Sequence, residues 1–149
     1  MRERTRLGRY AAIPVALIAL LVATPPSVAE GGREFSGSYE LNSVADLGDT
    51  VSVALTMEIF NHRDTAVYDV TLIVPVSNDP DAVLHTSTTP FIGSRESARF
   101  SADLVLGQEE YERWRLGLPP ALSIEFRDAA GNLGRAIAEI ALMSLSEAN

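Results

Sequence analysis

The feature that most constrains this chain is an alternation of apolar and polar side chains, which runs through most of the sequence after residue 30. Successive side chains of a β-strand point to opposite faces, so the alternation is typical of strands with one buried face. The clearest apolar face is Val51, Val53, Leu55, Met57 and Ile59. The next is Tyr68, Val70, Leu72 and Val74. The pattern predicts seven strands, at residues 34–41, 50–60, 66–75, 82–87, 95–106, 121–127 and 134–143.

Short segments rich in Gly, Pro, Asn and Asp separate these strands. Examples are DLGD at 46–49, SNDPD at 77–81 and DAAGN at 128–132. These residue types favour tight turns, and short strands separated by such turns are typical of a sandwich of two antiparallel sheets. We therefore predict an all-β fold for residues 30–149, a single antiparallel β-sandwich domain of about seven strands.

Two segments depart from the plain alternation. Residues 107–117, GQEEYERWRLG, contain helix-forming residues and an acidic first turn, which predicts a short helical turn near 108–115. Residues 134–145 alternate as a strand would, although their Ala, Glu, Leu and Met content would also suit a helix. The turn-like DAAGN in front of them favours a last strand.

Residues 1–29 have the three parts of a secretory signal peptide. Arginines precede an uncharged apolar stretch at 11–23, and SVA at 27–29 supplies the small residues that signal peptidase requires. We expect a signal peptide helix, cleavage between Ala29 and Glu30, and an exported product in the periplasm or outside the cell. A retained anchor is the weaker alternative, because a bilayer-spanning helix needs about 20 apolar residues.

Charge and cysteine content exclude several classes of function. After the predicted leader, eight arginines stand against 19 acidic residues, a net charge of −11. Such an acidic surface repels phosphate backbones, so we do not expect a nucleic-acid partner. The chain has no cysteine, which excludes disulfides, cysteine nucleophiles and thiolate metal sites. The fold must then be stabilised by its apolar core.

The segment Thr50–Phe60 ends in Asn61, and a polar turn leads to a second alternating strand at Val67–Pro75. Further on, Gly93 precedes the run ESARF, and LSIEFRDAAGNLGRAI places an acidic Gly-Asn turn between two strands. In these features the chain resembles bacterial exported immunoglobulin-like modules of the fibronectin type III and cell-adhesion-related (CARDB-like) kind. The resemblance covers about residues 50–140.

The resemblance implies an immunoglobulin-like sandwich that acts as a non-catalytic spacer or binding part. The module is expected to make up the whole exported chain, which favours an interaction or accessory role over that of a spacer. This chain departs from the family at two places. The segment EEYERWR is longer than a plain turn, and Arg95 stands where the family has a glycine before Glu96. We therefore expect a different geometry in that turn.

The best candidates for partner binding lie in the predicted helical turn. Tyr111, Arg113, Trp114 and Arg115 are residue types that are enriched in protein interfaces. Exposed aromatic rings on a sandwich also bind sugars by stacking, so a glycan is a possible partner. The alternative, which we favour, is a plug in which the aromatic side chains cover the open end of the sandwich.

The two histidines give only weak signals. Asn61 suits a hairpin bend, which makes His62, Arg63 and Asp64 residues of a solvated loop. A metal site needs three or four converging ligands, and His85 is the only other imidazole. A copper site would have to combine both histidines with Met57 and Met143, but Met57 falls on an apolar strand face and is expected in the core.

Calcium and catalysis are also weakly indicated. Asn78, Asp79 and Asp81 offer oxygen ligands of the kind that calcium prefers, although an Asx-Pro turn is the favoured interpretation. No Gly-x-Ser-x-Gly elbow occurs, and the acidic pair Glu109 and Glu110 suits a charged helix face. We expect no enzyme and no cofactor.

These observations predict a non-catalytic interaction or accessory module of the bacterial cell envelope, with an unidentified envelope protein as its partner. A second contact candidate is the short edge strand 82–87, AVLHTS, which could accept a strand from a partner. The alternative is a small-ligand-binding module that binds calcium through acidic loops or a glycan through exposed aromatic side chains. No stable membrane span is expected after signal cleavage.

Overall fold

The computed structural model describes residues 33–145; the predicted signal peptide, residues 1–29, and its cleavage site at Ala29 and Glu30 lie outside the described residues. The elements are β1 (Phe35–Asp46), β2 (Thr50–Asn61), β3 (Val67–Val76), β4 (Asp79–Ile92), β5 (Ser97–Gly107), α1 (Gln108–Arg115), β6 (Leu122–Arg127) and β7 (Leu133–Leu145). The predicted β-rich class, the seven strands and the short helix are confirmed. Residues 134–145, for which the sequence favoured a strand over a helix, belong to strand β7.

The strands form one seven-stranded sheet in the order β4-β3-β6-β7-β1-β2-β5. β7 connects the two halves of this order, because Leu133 to Ala138 pair with β6 and the residues from Glu139 onward pair with β1. The terminal strands β4 and β5 approach each other, so the sheet nearly closes into a barrel.

The β1–β7 ladder is parallel, which corrects the prediction of a purely antiparallel fold. The other ladders, from β1–β2 to β6–β7, are antiparallel. A parallel pair requires a long connection between its strands, and here the five intervening strands and α1 supply it. Alternation within each strand carries no information about this direction.

The core lies between the two halves of the sheet. Along β2, buried residues alternate with half-buried ones over its whole length, as predicted. Phe35 of β1 meets Phe126 of β6 across the core, with ring centroids 5.4 Å apart. Each fully buried side chain of this size contributes about 1.5–3 kcal/mol to stability. At Gly37 of β1, an added Cβ would lie 2.7 Å from the Glu58 carbonyl oxygen, so the close approach of β2 requires glycine.

β4 is longer than predicted, since it spans Asp79–Ile92 instead of residues 82–87. It lies at one end of the strand order, and Ile92 is its only fully buried residue. Because β4 buries so few of its side chains, its sequence shows only a weak alternation, and the sequence pattern therefore predicted only the middle of the strand.

α1 and the β2–β3 loop lie at opposite ends of the sheet. β2 begins at Thr50, which pairs with Gly107 directly before α1, and ends at Asn61. The helix has acidic residues in its first turn and arginines in its last, which suits the helix dipole. Gly117, with φ 75°, reverses the chain after the helix; this left-handed backbone favours glycine.

Candidate functional site

The predicted aromatic site on α1 is largely internal. Trp114 is fully buried, and its indole Nε1 donates a hydrogen bond to Glu110 Oε1 at 2.9 Å. The Tyr39 hydroxyl donates to the backbone carbonyl of Trp114 at 2.5 Å. Burial raises the pKa of Tyr39 to about 12. The Trp114 side chain is therefore the plug that the sequence favoured, and it is not accessible to a partner or a glycan.

Glu110 extends this connection to the β3–β4 turn. Its carboxylate accepts hydrogen bonds from the Ser77 hydroxyl at 2.6 Å and from the Ser77 backbone N–H at 3.3 Å. Tyr111 and Arg113 are half-buried, whereas Arg115 is exposed and pairs with Glu112 at 2.7 Å. Of the four predicted partner-binding residues, only Arg115 is exposed.

The bend predicted at Asn61 is present, and its side chain is fully buried. The Asn61 amide nitrogen donates to the carbonyls of Thr65 and Gly93, each at 3.0 Å, and its Oδ1 accepts from the Arg63 backbone N–H at 3.0 Å. One amide therefore holds the β2–β3 loop against the β4–β5 turn. The sequence predicted the bend, but it gave no sign of this connection between the two loops.

Next to this bend lies a cavity of about 660 Å³, which we call the arginine cleft. Its lining residues are Arg33, Glu34, Ser36, His62, Arg63 and Arg95. His62 Nε2 lies 2.6 Å from Ser36 Oγ, and the His62 ring packs on Phe60. The Arg63 guanidinium lies over the Phe126 ring, 5.1 Å from its centroid. The three arginines come from separate segments of the chain.

The turn that contains Arg95 has an uncommon backbone conformation. Arg95 adopts φ 59°, the left-handed region in which glycine is favoured. Arg95 therefore has a backbone angle that is more usual for glycine, although the residue is arginine. Its guanidinium Nε and Nη2 donate to Asp64 Oδ1 at 3.0 and 2.7 Å.

The calcium candidates lie in the β3–β4 hairpin. Asn78 and Asp79 are exposed there, and Asp79 Oδ1 accepts a hydrogen bond from the Asp81 backbone N–H at 3.2 Å, as in an Asx turn. Within residues 33–145, no group of three or more His, Asp or Glu side chains is placed to hold a metal ion. His85 instead lies 2.7 Å from Ser87 Oγ, and Met57 is buried in the core, as expected.

The outer face of β4, β3, β6 and β7 carries a feature that the sequence did not reveal. One cross-strand line, here called the exposed row, runs through Phe91, Tyr68, Arg127 and Leu133. Phe91 is 55% exposed, Tyr68 45% and Leu133 77%. Ile137, also on β7, is 58% exposed. Large apolar side chains are thus collected on one face.

Tyr68 had been predicted on the buried face of β3. Asp69 adopts φ 47°, and the β3–β6 register shifts between Tyr68 and Thr71. A β-bulge inserts an extra residue and turns the side chains before it to the other face. Both Tyr68 and Asp69 are exposed as a result. The positive φ of Asp69 marks the bulge. This backbone angle is seen only in the structure, so the sequence alone could not locate the bulge.

In the part of the chain that is described, no helix is both long and apolar enough to span a bilayer. No known family model matches this chain. No curated protein matches it either.

Solved structures with some similarity include two of a GH20 exo-β-N-acetylglucosaminidase from Vibrio harveyi, at 12% and 10% identity and a TM-score of 0.46 each. These matches cover 78% and 76% of this chain but only 19% of the glucosaminidase chains, so this chain spans about a fifth of their length. A structural-genomics target, SoR45, matches at 15% identity and a TM-score of 0.39, over 69% of this chain and 79% of the target. At these values the similarities carry no conclusion about activity.

Proposed function

We propose that this protein is a non-catalytic interaction module of the bacterial cell envelope, and that it binds a protein partner through the outer face of β4, β3, β6 and β7. The exposed row carries this proposal. Contiguous apolar surface on a monomer marks interaction sites, and aromatic residues and arginine are enriched in interfaces. Phe91, Tyr68 and Arg127 supply these residue types side by side.

The charges on this face support a protein partner with an apolar, weakly charged surface. Arg127 Nε lies 3.5 Å from Asp69, and Arg135 lies 4.0 Å from Glu125, so the charged residues compensate each other. β4 has no charged residue from Ala82 to Ile92. The rest of the domain is strongly acidic by comparison, with a net charge of −11 after the predicted leader.

The finer fold assignment belongs to the same proposal. We infer an immunoglobulin-like sandwich of the fibronectin type III kind, in which β1, β2 and β5 form one layer and β4, β3, β6 and β7 form the other. The strand order supports it, as does a core shared by both layers. The fourth strand pairs with the third, whereas in a constant-type immunoglobulin domain it joins the other sheet. Export and location in the envelope rest on the signal-like residues 1–29.

Site-specific photo-crosslinking in cells tests the proposal. A photoreactive amino acid at position 91 or 133 is expected to give a protein crosslink. Val105 of β5 is the matched control, because it is 62% exposed but belongs to the other half of the sheet. Equal crosslinking at positions 91 and 105, or none at 91 and 133, would contradict the proposed surface.

Affinity for the crosslinked partner then gives a quantitative test. The double variant Tyr68→Ser, Phe91→Ser is expected to weaken binding at least tenfold, about 1.4 kcal/mol. Val105→Ser should leave the affinity unchanged. These side chains are exposed, so each substitution should change stability by no more than about 0.5 kcal/mol. Unchanged affinity in the folded double variant would refute the role of the exposed row.

The alternative, glycan binding, would use Tyr68 and Phe91, the same two residues that the double variant changes. Trp114 is buried, and Tyr68 and Phe91 are the exposed aromatic residues within 33–145. A glycan array with the wild type and the double variant separates the two possibilities. Saturable sugar binding that the double variant loses, without a protein crosslink at position 91, would replace the protein partner by a glycan.

A further inference from the structure

The arginine cleft gathers positive charge on a protein that is otherwise acidic. Three of the eight arginines that follow the predicted leader line it: Arg33, Arg63 and Arg95. They meet because β1 begins beside the β2–β3 loop and the buried Asn61 amide holds that loop to the β4–β5 turn. Arginine presents five N–H donors in a planar fork that suits oxyanions. The cleft therefore has the donor chemistry of an anion site.

Arg63 is held in place before any ligand arrives. Its guanidinium packs on the Phe126 ring, and its side chain is only 26% exposed. Its Nε is buried and has no hydrogen-bond partner within residues 33–145. Because the planar group is already fixed, the Arg63 side chain loses little conformational entropy when a ligand binds to it.

The carboxylates that now contact these arginines leave many donors free. Glu34 accepts from Arg63 through a single nitrogen at 3.2 Å, and Asp64 contacts Arg95 through one oxygen only. Arg33 pairs with Glu139. The carboxylates in these three pairs are exposed, and exposed pairs contribute only about 0–1 kcal/mol each. A ligand can therefore displace them at little cost.

We propose that the arginine cleft binds a phosphoryl group. A ligand that displaces Glu34 and Asp64 must replace two negative charges. A phosphate monoester carries about −1.5 to −2 at neutral pH, whereas a carboxylate carries only one charge. The Ser36 hydroxyl and the His62 ring, 2.6 Å apart at the cleft wall, add polar groups that can bind further oxygens. This site does not depend on the proposed protein interface.

An NMR titration of the purified protein tests the proposal. The probes are inorganic phosphate and phenyl phosphate, with acetate as the monoanionic comparison and with ionic strength held constant by sodium chloride. We expect saturable amide shifts at Ser36, His62 and Arg95, and at least tenfold tighter binding of phosphate than of acetate. Tighter binding of phenyl phosphate would show that the group belongs to an organic ligand, and tighter binding of the free ion would assign it to inorganic phosphate.

Two variants probe the cleft from opposite directions. Arg95→Gly suits the φ of 59° and should weaken phosphate binding at least fivefold. Asp64→Asn removes a competing carboxylate that is 87% exposed, and it should tighten binding severalfold. Arg135→Gln, at an exposed arginine outside the cleft, is the control that should change nothing.

Several results would overturn the proposal. These are equal shifts with phosphate and acetate, equal effects of Arg95→Gly and Arg135→Gln, and no tightening by Asp64→Asn. If Arg95→Gly does not fold, Arg33→Gln at the exposed start of the described chain takes its place with the same expected loss. Tyr68→Ser, Phe91→Ser should leave phosphate binding intact, so that failure of the interface and failure of the cleft are distinguishable.

Discussion

The hydroxyl of Tyr39 donates a hydrogen bond to the backbone carbonyl of Trp114, and their rings meet edge to face with centroids 5.1 Å apart. This contact joins β1 to α1 across 75 positions of the sequence. The Trp114 carbonyl also accepts from the Gly117 N–H at 3.1 Å. The end of the helix, where carbonyls lack intrahelical partners, is thereby fixed to the core.

Tyr39→Phe removes the hydroxyl and keeps the ring. We expect a loss of about 1 kcal/mol in the free energy of unfolding, because the Trp114 carbonyl keeps its bond from Gly117. Urea denaturation followed by the fluorescence of Trp114 measures it. Tyr68→Phe is the matched control, since Tyr68 is exposed, and it should change stability by less than about 0.5 kcal/mol. Equal effects would contradict the anchoring role of Tyr39.

Stability should fall at alkaline pH through the same residue. Burial raises the pKa of Tyr39 to about 12 in the folded protein, whereas an unfolded tyrosine titrates near about 10. The folded state therefore keeps the proton that the unfolded state releases. The contribution is fully present below about pH 10 and is lost as the pH rises toward 12. Urea midpoints between about pH 9 and about pH 11 should fall more steeply in the wild type than in Tyr39→Phe.

Asn61→Ala should be one of the more damaging polar substitutions. It leaves the partly buried carbonyls of Thr65 and Gly93 without the amide that donates to them, so we expect a loss of about 2 kcal/mol in unfolding free energy. Asn61→Asp should be similarly damaging, because a carboxylate cannot donate these bonds. Asn42→Ala is the control, since the exposed Asn42 donates only to the Thr56 hydroxyl. A mild effect of Asn61→Ala would show that the loops are held by other contacts.

The backbone of Arg95 predicts a difference between two small substitutions. Glycine accepts φ 59° without strain, while alanine does not, so Arg95→Gly should be more stable than Arg95→Ala by about 1 kcal/mol. Both variants lack the contact with Asp64, and their difference therefore isolates the backbone. Melting temperatures measured side by side test this. Equal values would mean that the turn rearranges.

Asp128 predicts an acid-dependent contribution from the β6–β7 turn. Hydrogen bonds from the side chain and then the backbone of Asn132 hold the pKa of Asp128 below its ordinary value. A lowered pKa stabilises the folded state above the unfolded value of about 4, and this contribution is lost as the pH falls through the folded pKa. Asp128→Ala should therefore lower the urea midpoint at neutral pH but have little effect at low pH. A difference that persists in acid would contradict this assignment.

Much of the strand pattern could be predicted because it depends on local alternation. β2 is the clearest case, since all five predicted apolar residues from Val51 to Ile59 are buried. Tyr68 could not be placed, because the bulge at Asp69 depends on the partner strands rather than on the residues near it. The parallel β1–β7 ladder was missed for the same reason.

The candidate sites depended even more on long-range register. The plug formed by Trp114 was accessible to sequence reasoning, because a large aromatic residue on a short amphipathic turn needs burial. The arginine cleft and the exposed row could not be predicted from the sequence. Each is assembled from three or four segments, and the chain gives no local sign that Arg33, Arg63 and Arg95 or Phe91, Tyr68 and Leu133 would become neighbours.

β7 also sets the order in which this fold can be completed. The second half of this strand is the parallel neighbour of β1, so the earliest strand stays open along one edge until the latest has left the ribosome. Contacts this distant in sequence form slowly. The β1–β2 and β3–β4 hairpins can pair early, but the sheet cannot be completed before β7 is synthesised.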